Sequence, residues 1–335
     1  MKEKLNSELK IAGTTIKPGS KVRSYVRVGP YYQSGGHIRH YVLIPFTVIR
    51  GIREGPTLVQ TAGCHPTEYS GIDATVRLSN AIKPEELKGT YIAVPCVNIA
   101  GFFERTYLNP TDGKNIQGIY PGRTDGTISD LIAYKLFNEI LMKANYFLDC
   151  HGGDIHESEI WSFIYYKTED ETEKKSEAIA KATGLTYLLK SYYPGSMGME
   201  TAKRKIPGGL FELCSGDRLL PEESEAVYDG SINVMHHLGM LDGEPKTIRG
   251  QPCTIEGQKQ EIWSSSASAY FTKSGLFHTN VKPGDLLKEG QIVGKVTDFW
   301  GEEIETIRAP ATGRVHLQLH NPAVNVGDEA ISVHF

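Results

Sequence analysis

Short runs of apolar residues, separated by glycine, proline and polar residues, predict a series of β-strands along the first 250 positions. Two segments rich in β-branched and aromatic residues, 21–28 and 40–50, flank a glycine-rich connection of the hairpin type. Five further apolar segments predict strands at 57–62, 91–97, 145–150, 161–166 and 209–214. The chain therefore opens with an amino-terminal β-hairpin and continues with regularly spaced strands.

Helical periodicity fills the intervals between these strands. Apolar residues three to four positions apart predict helices over 68–82, 129–143, 172–183 and 222–237. In the second helix, Ser129 precedes Asp130 and an apolar stripe, which predicts an amino-terminal cap at Ser129. Because strands alternate with helices of this length, we expect an α/β fold whose sheet is mixed, mostly parallel and flanked by helices.

The pattern changes near residue 250, where Gly243, Pro245, Gly250 and Pro252 cluster and helical periodicity stops. We expect an α/β domain at 1–248, which includes the β-hairpin, and a smaller all-β domain at 249–335. Two halves of the latter each combine a valine, a Gly-Asp turn and a return strand, and this arrangement resembles lipoyl and biotinyl carrier domains. The stretch between the halves, 296–313, has no lysine to modify, so the sequence favours a structural appendage.

Composition narrows the class of protein. The 335 residues include 36 basic and 40 acidic side chains, and a net charge of −4 gives no electrostatic argument for nucleic acid. No apolar run is long enough to cross a membrane, and the amino terminus has no apolar core of signal-peptide length. The five cysteines are odd in number and widely spaced, so we expect a cytoplasmic protein without membrane or nucleic-acid partners.

Two histidine motifs follow predicted strands. His65 and Glu68 come after the strand at 57–62, and His151 ends the strand at 145–150. Ligands bind beyond the carboxyl ends of strands in open α/β sheets, so these side chains are expected at one edge of the sheet. Two imidazoles and a carboxylate suit zinc, and Asp149 is placed to orient a ligand histidine. Taken alone, the simpler interpretation of His65 and Glu68 is a solvated loop, and that of His151 is a histidine held in a turn.

Two further features point to catalysis at the same edge. Glu212 interrupts an apolar strand near its end, where a carboxylate is costly unless it is paired or functional, and it would act as a general base. A long loop rich in glycine, proline and asparagine spans 98–122, and its Arg105 is a candidate for stabilising an oxyanion. A paired structural glutamate and a surface arginine are the alternatives.

Six motifs occur in one order: G-x-H-x-x-E from 63, N-x-x-G-F-x-x-R from 98, P-x-D-G-K-N from 110, P-G at 121, D-x-H-G-G from 149 and F-E-L from 211. They resemble the succinylglutamate desuccinylase/aspartoacylase family of the zinc carboxypeptidase-like superfamily. The resemblance implies one Zn²⁺ per chain, held by His65, Glu68 and His151. It also implies Glu212 as the catalytic glutamate and Arg105 as the residue that polarises the scissile carbonyl.

The reaction so implied is the hydrolysis, by metal-activated water, of the amide bond of a small N-acyl amino acid or amine. Asn115, Gln117 and Tyr120 are the predicted substrate-binding residues. The sequence departs from the family at Gln117 and Gly118, where members usually carry a second asparagine and an arginine that grips a substrate carboxylate. Other residues considered for the pocket are Arg123, Lys203, Arg204, Lys205, Tyr192 and Tyr193.

Two other functions stay open at this point. The superfamily allows a metallocarboxypeptidase that acts on peptides, although the missing arginine at position 118 argues against it. A non-catalytic, metal-dependent binding protein is the third hypothesis, and the intact Glu212 argues against that one. The β-rich tail offers surface for a homo-oligomer.

Overall fold

The computed structural model describes residues 8–31, 40–153, 156–213, 216–251 and 259–335. The strands are β1 (Leu9–Ile11), β2 (Thr14–Ile16), β3 (Ser20–Tyr31), β4 (His40–Arg50), β5 (Arg53–Ala62), β6 (Lys88–Val94), β7 (Tyr146–His151), β8 (Glu157–Glu159), β9 (Ser162–Tyr166), β10 (Tyr187–Ser191), β11 (Gly208–Glu212), β12 (Glu261–Trp263), β13 (Ser266–Tyr270), β14 (Gly275–Thr279), β15 (Leu286–Leu287), β16 (Ile292–Thr297), β17 (Glu303–Arg308), β18 (Gly313–Leu319), β19 (Ala323–Val324) and β20 (Glu329–His334). The α-helices are α1 (Tyr69–Ala81), α2 (Ile99–Glu104), α3 (Ile128–Glu139), α4 (Glu171–Ala182), α5 (Met197–Lys203) and α6 (Pro221–His237), with 3-10 turns at Ile116–Gly118 and Leu141–Lys143.

Nine strands form one large mixed sheet in the order β12-β10-β9-β11-β7-β5-β6-β4-β3. Its centre is parallel, because β5 pairs in parallel with both β6 and β7, and β7 pairs in parallel with β11. The hairpin β3–β4 adds an antiparallel edge next to β6. The expected α/β architecture, with a mostly parallel sheet and flanking helices, is therefore confirmed.

Both faces of the central sheet are covered, as the alternation of side chains along a strand requires. Val59 and Phe147 point to the face that α3 covers, and their neighbours Leu58 and Leu148 point to the face that α1 and α6 cover. All four side chains are buried. The carboxyl ends of β5, β7 and β11 lie between these two layers, which is where side chains can converge on a ligand.

Two predictions of local structure were wrong. Residues 99–104 form helix α2 and not the start of a long loop, because the Asn98 side chain accepts a hydrogen bond from the Gly101 N–H and so begins a helical turn. Helix α3 begins one residue before Ser129, and Thr127 is its cap. The Thr127 N–H donates to Oδ2 of Asp130 at 2.8 Å, which is the reciprocal half of a capping box.

The carboxyl-terminal region is all β, as the sequence indicates, and it has its own core around Phe271, Val293 and Val315. Strands β13, β20, β18 and β15 form one sheet, which β8 joins, and β17, β16, β14 and β19 form another. Two strand pairings join the regions. Strand β12 of the carboxyl-terminal region pairs with β10 in the large sheet, and β8 of the preceding region pairs with β18. The predicted boundary cluster ends at Pro252, outside the described residues, and the division into two domains stays a prediction.

No helix within the described ranges combines the length and the apolar character that crossing a membrane requires.

Candidate metal centre and active site

Three neighbouring parallel strands end at the candidate site. His151 is the last residue of β7 and lies opposite Glu212, the last residue of β11. On the other side of β7, Ala62 at the end of β5 pairs with Cys150, and His65 follows three residues later. The strand ends expected at one edge of the sheet are thus adjacent, and their order is β11, β7, β5.

The turn after β5 depends on Gly63, which adopts a left-handed conformation with φ of +63°. A β-carbon at this position would lie 3.0 Å from the Cys96 Cα, so a larger residue would strain both the backbone and the packing. The turn leads into α1, whose Gly71 sits directly against Cys150, where a β-carbon would be only 2.7 Å away. This close approach of α1 to β7 brings Glu68, the residue before the helix, next to His151.

His65, Glu68 and His151 are buried and form a group whose ligand atoms all lie within 4.8 Å of one another. The two carboxylate oxygens of Glu68 approach one imidazole each, at 2.9 Å from Nδ1 of His65 and 3.2 Å from Nδ1 of His151. Among the residues that the structure describes, no hydrogen-bond donor is assigned to Oε2 of Glu68, which is buried. Such an atom is costly unless another group satisfies it, and a cation would do so.

The outer nitrogens of both imidazoles are already engaged. Nε2 of His65 lies 3.0 Å from Oδ1 of Asn115, and Nε2 of His151 lies 2.9 Å from Oδ2 of Asp149. The Thr61 hydroxyl donates to the other Asp149 oxygen at 2.6 Å. These acceptors favour a proton on Nε2 of each imidazole, so Nδ1 is the nitrogen that would face a cation bound together with Glu68. A His₂Glu set with oriented imidazoles fits zinc.

Charge in the cluster follows from burial and the contacts. Burial favours the neutral acid of Glu68, but His65 and His151 together bring the pKa of its carboxyl below the ordinary value. Burial also disfavours a charged His151, and Asp149 and Glu68 outweigh this effect and raise its pKa well above the ordinary value. Burial and the nearby carboxylates raise the pKa of the Cys64 thiol, so Cys64 stays a neutral, packed side chain.

Glu212 meets a carboxyl group that the sequence did not suggest. The Glu159 side chain, from β8, lies within hydrogen-bonding reach of Glu212. Burial raises the pKa of both carboxyls. Repulsion from Glu212 raises that of Glu159 further, and repulsion from Glu68 and Glu157 raises that of Glu212. Glu159 lies on a three-residue strand without a helix or sheet period, so no local signal identifies it.

A second side chain that sequence reasoning missed is Tyr107, whose ring stacks on His65 at a centroid distance of 3.9 Å. It follows Arg105, which ends α2 in a left-handed conformation with its side chain exposed. The loop beyond is clamped, because the Ser129 N–H and hydroxyl donate to Asp112 at 2.9 and 2.7 Å. This clamp holds Asn115 against His65.

The predicted substrate-binding residues fall in different places. Asn115 and Gln117 contact the two histidines, and the Gln117 amide lies 3.2 Å from Nε2 of His151. Tyr120 is buried beneath the site at 4% exposure, and within the described ranges its hydroxyl has no hydrogen-bond partner. A β-carbon at Gly118 would contact only the Tyr193 hydroxyl at 3.5 Å, so the position of the family's arginine is open space beside an exposed tyrosine.

The basic residues considered as substitutes for that arginine all have acidic partners. Arg123 pairs with Asp125, Lys203 and Arg204 pair with Glu200, and Lys205 pairs with Asp170. Tyr192 lines a shallow surface cavity of about 600 Å³ with Lys203 and Lys205. These pairs give each of the four cations an acidic partner within the described structure.

Comparison with known proteins matches this architecture to characterised relatives. The chain is 28% identical over 295 residues, 86% of its length, to N-alpha-acetyl-L-2,4-diaminobutyric acid deacetylase from Halomonas elongata, of which the match covers 84%. A succinylglutamate desuccinylase/aspartoacylase structure from Rhodobacter sphaeroides superposes with a TM-score of 0.82 at 25% identity over 94% of both chains. The product-bound ectoine utilization protein EutE (DoeB) from Ruegeria pomeroyi shares the fold, with a TM-score of 0.85 at 22% identity over 94% of this chain and 95% of that one.

The model of the succinylglutamate desuccinylase/aspartoacylase catalytic domain matches residues 54–238, which is more than half of the chain. This segment runs from β5 to the end of α6 and contains the His65, Glu68, His151 and Glu212 positions. The resemblance read from the ordered motifs is confirmed: the chain belongs to the succinylglutamate desuccinylase/aspartoacylase family.

Proposed function

We propose that the protein is a zinc-dependent deacylase that hydrolyses the amide bond of a small N-acyl amino acid or N-acyl amine. The observation that carries this proposal is the convergence of His65, Glu68 and His151 with Glu212 at adjacent strand ends. The first three offer buried ligand atoms and the fourth offers a buried carboxyl beside them. A protein that only binds a metal has no need of the second feature.

When bound, zinc would supply electrophilic assistance to the attacking water and to the scissile carbonyl. His65, Glu68 and His151 would hold it, with Asn115 and Asp149 fixing the two imidazoles. Burial raises the pKa of the Glu212 carboxyl, which suits a group that must take and return a proton near neutral pH. Glu212 takes the proton of the attacking water and delivers it to the departing nitrogen.

Arg105 would stabilise the negative charge that develops on the carbonyl oxygen. Its side chain is exposed at the end of α2, and the chain returns to the site two residues later, where Tyr107 stacks on His65. Arg105 therefore stands beside the entrance and would turn inward when substrate binds. Tyr107 and the clamped loop around Asn115 form the rigid wall against which the substrate is held.

The substrate class follows from the relatives and from position 118. The Halomonas relative is named a deacetylase of N-alpha-acetyl-L-2,4-diaminobutyric acid, a small amino acid with a second amino group. This chain has Gly118 in open space where the family's carboxylate-gripping arginine is expected. Both observations favour N-acetylated small amino acids, including diamino acids, over substrates with an additional carboxylate on the amine half.

The test is to load the purified protein with zinc, measure metal per chain by elemental analysis, and assay release of primary amine. The substrate panel contains N-acetylated diamino, neutral and acidic amino acids, N-succinylglutamate and carboxyl-terminal peptides. We expect about one zinc per chain and chelator-sensitive release of amine from an N-acetyl amino acid.

Release from peptides alone would show a carboxypeptidase and contradict the proposal. Binding of zinc without turnover of any panel member would favour a binding protein. The Glu289→Gln variant changes an exposed carboxylate of the carboxyl-terminal region and serves as a control that keeps activity.

A further inference from the structure

Glu159 is a half-buried residue whose carboxyl group the proposed chemistry does not use. Among the described residues no hydrogen-bond donor reaches its buried Oε2 atom, and its carboxyl lies within hydrogen-bonding reach of that of Glu212. The neighbouring charges that act most strongly on it are the carboxylates of Glu212, Glu157 and Glu68. A carboxylate buried among others is costly unless a cation reaches it.

The position of Glu159 is set by the carboxyl-terminal region. Strand β8 adds to the edge of β18, with Glu159 opposite Leu317 and Glu157 opposite Leu319. Main-chain bonds continue the pairing on both sides, from the Ile160 N–H to His316 O and from the His320 N–H to His156 O, each at 2.9 Å. The carboxyl of Glu159 is therefore held on a paired strand and not on a free loop.

Alternation along β8 determines which side chains face the site. Glu157 and Glu159 point to the same side of the strand, and Ser158 points to the other, where its hydroxyl meets Nδ1 of His320 at 3.1 Å. Glu157 raises the pKa of the Glu212 carboxyl and Glu159 lies within hydrogen-bonding reach of it, so this side faces the end of β11. Strand β8, held by its pairing with β18 of the carboxyl-terminal region, thus supplies an acidic wall to the site.

The proposed role of Glu212 indicates which half of the substrate lies beside this acidic wall. A general base that returns its proton to the leaving nitrogen must reach that nitrogen, so a carboxyl in contact with Glu212 lies beside the amine half of the substrate. The acyl half lies toward the metal ligands. A positive charge that Glu159 meets would therefore be carried by the amine half, a few bonds from the scissile nitrogen.

We propose that Glu159 is a specificity-determining residue that binds a free ammonium group on the amine half of the substrate, so that the preferred substrates are monoacylated short-chain diamino compounds. This inference rests on the proposed function and assigns the recognition of the second amino group to one carboxylate. The unpartnered Oε2 supplies the acceptor, and a charge-assisted hydrogen bond supplies both the affinity and the discrimination. The open position at Gly118 removes the competing preference for an anion.

The test compares two substrates that differ in one group. Nα-acetyl-2,4-diaminobutyrate carries a free ammonium on its γ-carbon, and N-acetylhomoserine carries a hydroxyl in the same place. For the zinc-loaded wild type we expect a KM about 10- to 100-fold lower for the diamino substrate, which is the range of one charge-assisted hydrogen bond. Glu159→Gln is expected to abolish this difference in KM, so the quantity compared between the two proteins is the ratio of the two KM values.

Two variants serve as controls for charge and geometry. Glu159→Asp keeps the charge on a shorter side chain and is expected to keep part of the preference. Glu289→Gln removes an exposed charge of the same region and is expected to keep all of it. Zinc content, the melting temperature and calorimetric binding of 2,4-diaminobutyrate are measured for each variant, and only binding is expected to weaken in Glu159→Gln.

Equal constants for the two substrates in the wild type would overturn this inference alone. An equal loss of kcat on both substrates in Glu159→Gln, with KM unchanged, would also overturn it and would make Glu159 a positioning residue for Glu212. Release of amine from neither substrate by zinc-loaded wild type would overturn the proposed function and this inference with it.

Discussion

The described part of the chain contains two close pairs of largely buried histidines, and their surroundings give them opposite chemistry. His65 and His151, at the end of the large sheet, have ring centroids 4.9 Å apart, and His316 and His334, in the carboxyl-terminal region, have centroids 4.3 Å apart. The first pair is bracketed by Glu68 and Asp149. In the second pair, His316 instead approaches the Ser162 hydroxyl at 3.3 Å.

The difference shows in the proton affinity of each pair. Asp149 and Glu68 overcome the effect of burial and raise the pKa of His151. Burial, together with repulsion from His334, lowers the pKa of His316 well below its ordinary value, and burial lowers that of His334 to about 4. Within the described part of the chain, His65, Glu68 and His151 are the residues grouped for a metal ion. Proximity of two imidazoles is therefore not enough, since the carboxylates decide between a ligand set and a neutral packing pair.

The largest expected effect, a loss of zinc and of activity, follows from a change in the first pair, His65 and His151. His151→Ala removes one of the three proposed zinc ligands and leaves Glu68 and Asp149 without that imidazole, so we expect zinc content to fall from the proposed one per chain to near zero. Activity should fall by about 1,000-fold or more, because the loss of metal assistance costs several kcal/mol. Elemental analysis and the amine-release assay check both.

The matched change in the second pair is His334→Ala. It is expected to keep zinc and activity, because His334 contacts Trp263 and His316 and lies outside the ligand group. Loss of zinc in this variant would show that the carboxyl-terminal pair supports the metal centre.

The second prediction keeps His65 and His151 and removes the proposed base, Glu212. Glu212→Gln is nearly isosteric and cannot accept the proton of the attacking water, so kcat is expected to fall by about 10²- to 10⁴-fold. Zinc content should stay near one per chain, since Glu212 is not among the clustered ligand atoms. Full turnover in a zinc-replete sample of this variant would refute the assignment of Glu212 as the base.

The third prediction makes the first pair more like the second by removing a carboxylate. Asp149→Asn keeps the shape of the side chain that faces Nε2 of His151, but it weakens the orientation and basicity of the imidazole. Zinc affinity is expected to fall by about 10- to 100-fold, as measured by competition with a fluorescent chelator. Thr61→Ala, which removes the hydroxyl that donates to Asp149, should give a smaller loss in the same direction.

The smallest expected effect is on the pH dependence of the free energy of unfolding, and it comes from His334 in the second pair. Because the folded-state pKa of His334 is about 4 and an unfolded histidine titrates near 6.5, the unfolded chain binds more protons between these values. The free energy of unfolding therefore falls as pH decreases through this window. In His334→Phe we expect this fall to be smaller by about 1–3 kcal/mol.

Urea unfolding of the chelator-treated wild type and His334→Phe at pH 7 and pH 4.5 measures the difference, because the contributions of groups that His334 does not influence cancel between the two proteins. An equally steep fall in the variant would show that the folded protein accommodates a protonated His334.

The strand-end motifs made most of the site predictable. His65, Glu68, His151 and Glu212 follow or end apolar strands, and parallel strands place such ends at one edge of a sheet. Because strand spacing is regular, this inference requires no side-chain detail. The same regularity identified the mixed sheet and four of the helices. It did not identify α2, since six residues cannot show a helical period and the Asn98 cap is a local contact.

Local sequence patterns did not predict contacts between segments that are distant in the chain. Tyr107 reaches His65 through the path of a loop, and that path depends on the Asp112–Ser129 contacts across 17 residues. Asn115 was expected to touch substrate, and the fold places it on Nε2 of His65. Each of these positions is set by long-range packing.

The sequence by itself determined the family, the α/β architecture, the residues that converge at the sheet edge and the all-β character of the tail, because periodicity and ordered motifs are local properties of the chain. Only the tertiary structure decided that β8, which lies between β7 and β9 in the chain, pairs with β18 and brings Glu159 to Glu212. The physical reason is that strand pairing across more than 150 residues depends on which edges remain free after each region has packed its own core.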